Sequence, residues 1–165
     1  MTKLPDSPYI TNPNRLADVI AAIQAMAVFE LHMRNFKSWS VSISGDESKA
    51  DHWKRVFEEH PEFFRIDTSG CLASLVWRRQ LPKMYHVGRQ QLLSKKTCEG
   101  LPAGEKEKLV RPPLTPNDIK TLIEAAINIH ASAVELKRES KWWVPLAGAG
   151  GGFVGSIVGA FLRYK

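Results

Sequence analysis

No charged residue interrupts the chain between Lys141 and Arg163, and this constrains the fold more than any other feature of the sequence. The uncharged run, 142–162, is 21 residues long. As a helix rising about 1.5 Å per residue it spans roughly 32 Å, the thickness of a hydrocarbon core. Trp142 and Trp143 stand at one end and Tyr164 at the other, with Lys141, Arg163 and Lys165 placed to snorkel. Ala147, Gly151, Gly155 and Gly159 recur at every fourth position, a stripe of small residues that lets helix backbones approach closely in lipid. A buried core helix and a glycine-rich tail are the competing readings. Glycine costs a helix up to about 1 kcal/mol relative to alanine, and a tail has no use for the Trp pair or the apolar face from Phe153 to Leu162. The sequence therefore predicts a self-associating transmembrane helix, with the lipid bilayer and further copies of the chain as partners.

The residues before this run make one small domain with a basic middle. The start, MTKLPDSPYITNPN, has neither an apolar core nor a cleavage site of a signal peptide. The expectation is a tail-anchored, single-pass protein of the inner (cytoplasmic) membrane, its N-terminal domain in the cytoplasm. Cys71 and Cys98 lack metal-ligand spacing and read as free thiols, Cys71 as a small core residue. Of the net charge of +6, residues 71–111 carry 9 basic and 3 acidic side chains. Residues 1–70 carry 8 basic and 10 acidic, and residues 112–165 carry 6 and 4, so the two flanks cancel. The middle segment is thus either a surface that meets a polyanion or a solvated loop.

Helical spacing of Leu16, Val19, Ile20, Ile23, Met26 and Ala27 after Asn12, Pro13 and Asn14 predicts a core helix over 15–35. The stretch FKSWSVSIS, 36–44, is either a short helix or a strand, and Gly45 breaks it. Ser48 with Asp51 resembles a capping box for a helix over 49–60 that buries Trp53, Val56 and Phe57 and ends at Pro61. FRI and LASLVWRR, around the turn Asp67, Thr68, Ser69, Gly70, predict a β-hairpin. Residues 81–114, rich in Pro and Gly, read as a basic irregular connector with short helices near 90–96 and 104–110. Thr115 as cap and Pro116 at the first position then open an amphipathic helix over 115–140.

The order of long helix, short element, capped helix and hairpin over residues 14–80 resembles a winged-helix domain, in element order rather than in any signature motif. The expected fold class is therefore mainly α with a small β-hairpin. A winged-helix-like domain (1–80) is followed by the connector (81–114), the amphipathic helix (115–140) and the transmembrane helix (141–165). The resemblance implies that Lys49, His52, Lys54 and Arg55 face a DNA groove and that Arg78 and Arg79 touch phosphates. Asp51, Glu58 and Glu59 on the same helix favour a protein partner over nucleic acid.

No catalytic constellation, metal site or cofactor motif is legible. His32, His52, His60, His86 and His130 are not spaced as ligands, and His130 reads as a satisfied core histidine. Glu58 and Glu59 read as solvated. The functional expectation is a non-enzymatic membrane protein whose cytosolic domain binds a partner and whose glycine-rich span self-associates, as in an effector of the toxin or phage-defence type. The alternatives are a membrane-tethered DNA-binding regulator and an adaptor holding a partner protein at the membrane.

Overall fold

The computed structural model describes residues 7–139. Among them, short helices surround two small antiparallel sheets. Helix α1 (Pro8–Thr11) leads into α2 (Arg15–Val28), strand β1 (Met33–Asn35), α3 (Phe36–Ser44) and α4 (Ala50–Glu59). Strands β2 (Phe64–Ile66) and β3 (Leu72–Leu75) follow, then α5 (Val76–Gln80). The first sheet has the order β1-β3-β2, so the strand between α2 and α3 pairs with the far arm of the hairpin, Met33 opposite Ser74.

That pairing explains why α2 ends at Val28 rather than near residue 35. Phe29 is extended, with ψ 142°, because the chain beyond it is recruited as a sheet edge. Nothing local breaks the helix; a strand 40 residues away does. The ambiguous stretch 36–44 is a helix. The Asn35 side chain accepts from the Ser38 N–H at 2.8 Å, and Gly45, at φ +70°, closes it in the left-handed conformation. Ser42 and Ser44 donate back to the carbonyls of Ser38 and Ser40, which absorbs the polar alternation that imitates a strand. Trp39 is wholly buried, and its indole N–H donates to the Ala73 carbonyl at 2.8 Å, joining α3 to β3.

Helix α4 buries Trp53, Val56 and Phe57 as its spacing requires. Its expected capping box is absent. Asp46 instead accepts from the Ser48 N–H at 2.9 Å and starts a 3-10 turn over Glu47–Lys49. The hairpin is shorter than the sequence implies: β3 stops at Leu75, and VWRRQ is α5, started by the Val76 N–H bonding the Phe63 carbonyl at 2.8 Å. In the turn, Asp67 accepts from the N–H groups of Cys71 and Leu72, and Gly70 takes φ +72°. Cys71 is exposed rather than a core residue.

The connector is ordered, not irregular. Strands β4 (Tyr85–His86), β5 (Gln91–Leu92) and β6 (Leu109–Val110) form a second sheet, β5-β4-β6, with α6 (Lys95–Glu99) and α7 (Ala103–Lys106) between its last two strands. His86 holds this unit: its buried Nδ1 accepts from the Arg89 N–H and its Nε2 donates to Glu105 at 2.8 Å. Helix α8 (Pro116–Glu139) then packs on α1 and α2 through Leu122 and Ala126, and Thr115 and Asp118 cap it reciprocally. Past Ala126 its aliphatic side chains emerge: Ile127, Ile129, Val134 and Leu136 are exposed. His130 packs edge-on against Tyr9, and its Nδ1 has no hydrogen-bond partner among the described residues.

The expected fold class is corrected in one respect. No helix among the described residues is long and apolar enough to cross a membrane; α8, though 24 residues long, carries Lys120, Glu124, Glu135 and Lys137. The run 142–162 lies outside the described residues. So do Ala147, Gly151, Gly155 and Gly159, and the interface residues Trp142, Trp143, Arg163, Tyr164 and Lys165. The transmembrane, tail-anchored and inner-membrane expectations are withdrawn on that finding. The homo-oligomer expected from the glycine stripe goes no further either.

The Trp39 link is directly testable. Trp39→Phe keeps a ring in place but takes a donor from Ala73, and costs about 1–3 kcal/mol. Trp39→Ala, which also opens a cavity, costs about 3–5 kcal/mol. Urea unfolding measures both, and a loss under about 1 kcal/mol for the alanine variant would contradict this packing.

Candidate functional site

The cations expected to face a DNA groove are mostly occupied within the fold. On α4, Lys54 Nζ lies 3.8 Å from Glu58, and His52 Nε2 lies 3.2 Å from Asp18 on α2. Lys49, in the preceding turn, stands 4.0 Å from Asp46. Glu58 and Glu59 are accordingly not simply solvated: Glu59 takes the buried Arg15 at 2.7 Å, tying α4 to α2. Of the four residues, Arg55 alone has no acidic partner among the described residues. The hairpin tip adds Asp67, whose carboxylate is held below its ordinary range by hydrogen bonds from Ser69 and Leu72.

Arg78 and Arg79 divide. Arg78 is wholly buried and saturated with backbone acceptors, so no phosphate reaches it. Its Nε donates to Pro112 at 2.8 Å, Nη1 to Met26 at 3.0 Å and to Phe29, and Nη2 to Arg111 at 3.0 Å and Glu30 at 3.1 Å. Five N–H donors meet five carbonyls, the full capacity of a guanidinium. Burial lowers its pKa to about 10, still well above neutrality, so it remains a cation without a carboxylate. Arg79 is exposed and beside Arg65, the two bordering a shallow depression of about 320 Å³ with Pro61, Val76 and Gln80. Helical spacing in WRRQ requires one arginine in and one out, but which is which depends on carbonyls 33 to 52 residues away.

The positive surface that composition locates only as a basic segment runs from Arg79 into the connector. His32, half-buried, is pushed down to about 4, first by burial and then by the charges of Arg111, Arg78, Lys83 and Arg79. Lys83 in turn borders an open groove of about 440 Å³. Pro82, Met84, Cys98 and Leu109 give it apolar walls, and Lys83, Lys95, Lys106 and Glu99 supply its charges. Arg65, Arg79, Lys83, Lys95 and Lys106 have no ion-pair partner among the described residues. Elsewhere in the connector Glu105 gathers Lys108 at 2.6 Å, Arg89 at 3.6 Å and His86 at 2.8 Å, while the exposed Lys96 has no ion-pair partner among the described residues. Much of the basic excess of 71–111 is therefore expressed on one flank. A composition shift is the sequence signal for it; which cations remain unpaired is not.

No protein-family model, no curated protein and no solved structure matches this chain, so function is argued from the site alone.

Arg78→Met strands several buried carbonyls and is expected to cost about 3 kcal/mol or more, since each unsatisfied group costs about 1–3 kcal/mol. Arg79→Met, at an exposed position, should stay within about 0.5 kcal/mol. Equal effects in urea denaturation would contradict the division between the two arginines.

Proposed function

We propose that the protein is a non-enzymatic binding module, winged-helix-like over its first part, that docks an acidic segment of a partner protein on the flank bearing Arg65, Arg79 and Lys83. The single observation that carries this reading is the placement of unpaired charge. Lys49, His52 and Lys54 each stand beside an acid of the fold, whereas the cations on the flank do not. A paired cation shares its field with the acid beside it, at a cost to a new ligand of about 0–1 kcal/mol for an exposed pair, while an unpaired one offers its whole charge. The winged-helix-like part of the reading draws support from the element order α2-β1-α3-α4-β2-β3 and the sheet order β1-β3-β2.

DNA recognition through α4 fares worse on the same distribution of charge. The element that a winged-helix reader inserts into the groove here exposes Asp51, Glu58 and Glu59 beside its paired cations, and the buried Arg78 cannot serve the backbone. The apolar walls along the basic flank also have no counterpart on a phosphate chain, and they suit the mixed side chains of a protein.

Binding of labelled poly-L-glutamate, followed by fluorescence anisotropy, tests this. The triple change Arg65→Glu, Arg79→Glu, Lys83→Glu should weaken binding by about tenfold or more, and raised salt should weaken the native chain in the same direction. Lys49→Glu with Lys54→Glu should leave affinity within about twofold. Duplex DNA binding that depends on Lys49, Lys54 and Arg55 would replace this reading with the nucleic-acid one.

A further inference from the structure

Resting on that reading, we infer that the groove between residues 82–84, α6, the end of α7 and the start of β6 is a receptor site for a short acidic peptide with one apolar anchor side chain. The groove has the two halves such a ligand needs. Its walls, Pro82, Met84, Cys98 and Leu109, come from four separate positions in the connector and line an open groove of about 440 Å³, in the size range of roughly 300–1,000 Å³ usual for ligand sites. Lys83, Lys95 and Lys106 border it against a single acid, Glu99. The three lysines are without ion-pair partners among the described residues, while Lys108, close by in sequence to Lys106, is held by Glu105.

Charge complementarity commits the groove to an anionic occupant, and the aliphatic walls to an apolar side chain on that occupant. Lysine stems are themselves apolar and extend the walls outward while the ammonium groups stay in water. A ligand that seats one leucine- or methionine-sized side chain and spreads carboxylates on either side satisfies both halves. Ammonium groups on flexible stems adapt to several carboxylate positions, whereas the fixed fork of arginine would demand one geometry. The site thus selects a pattern, acidic residues flanking an apolar one, more than a unique sequence. The half-buried thiol of Cys98 lies in the wall and reports on occupancy.

A random library of displayed 12-residue peptides, selected on the full chain carrying Cys71→Ser, tests the inference. Enriched peptides should bear Asp or Glu on both sides of a Leu, Ile, Met or Phe. A synthetic copy of the best one should slow iodoacetamide modification of Cys98. Its affinity should fall about tenfold with Lys95→Glu plus Lys106→Glu, and by a similar factor when its apolar residue becomes alanine. Both lysines are exposed, and an unchanged circular dichroism spectrum confirms that the variant folds. Acidic peptides that leave Cys98 reactive and respond to Arg65→Glu and Arg79→Glu instead would overturn the groove site while leaving the flank reading in place. Peptides without acidic bias, or protection of Cys98 by a single-stranded oligonucleotide and by no peptide, would overturn both.

Discussion

Five backbone carbonyls converge on the guanidinium of Arg78, and much of the architecture follows from that convergence. Three belong to the end of α2 and the residues just beyond it, where the helix leaves carbonyls unpaired and the macrodipole is negative. The other two, of Arg111 and Pro112, lie on the segment that enters α8. One side chain therefore substitutes for a C-terminal cap and clamps the start of α8 to the end of α2. The Leu114 N–H, donating to the Ala27 carbonyl at 2.9 Å, continues the same seam. A buried cation without a carboxylate is ordinarily costly; here a complete set of oriented dipoles offsets the loss of water.

The clamp has a consequence for the surface. Fixing Arg78 inward sets the rotation of α5, which leaves Arg79 exposed and beside Arg65. Arg111, whose guanidinium donates to the Leu81 carbonyl, holds the far side of the same turn. With Arg78, Arg111, Arg79 and Lys83 all bearing on it, the half-buried His32 sits in a field that opposes its protonation. The fold thus concentrates positive charge along one flank and leaves it unanswered there, while Lys49, His52 and Lys54 around α4 each stand beside an acid. An acidic ligand is the natural complement to such an imbalance.

Local signals made the helices legible and non-local ones hid the rest. The reciprocal Thr115 and Asp118 cap, the apolar face of α4 and the turn at Gly70 are written in neighbouring residues, and the sequence reads them correctly. The early end of α2, the conversion of VWRRQ from strand to helix and the closing of the second sheet by β6 each depend on partners distant in sequence, Met33 on Ser74, Val76 on Phe63 and His86 on Leu109. The basic flank was half legible. Composition located the excess in residues 71–111, but pairing of Lys49, His52 and Lys54 with acids, and burial of Arg78, are three-dimensional facts. The winged-helix resemblance implies those residues as contacts, and element order carries no record of which acid folds against them. The uncharged run 142–162 dominated the sequence reading because its features are local. It lies beyond residues 7–139, and among those no helix can span a bilayer.

Titration of the His32 ring protons by NMR in the full chain probes the unanswered charge of the flank most directly. A pKa near 4 is expected, with a rise toward the ordinary value of about 6.5 when Lys83→Glu and Arg79→Glu are introduced. The rise should stop short of that value, because burial persists. A His32 whose pKa is indifferent to both charge reversals would contradict an unpaired positive flank and remove the basis for acidic-partner binding.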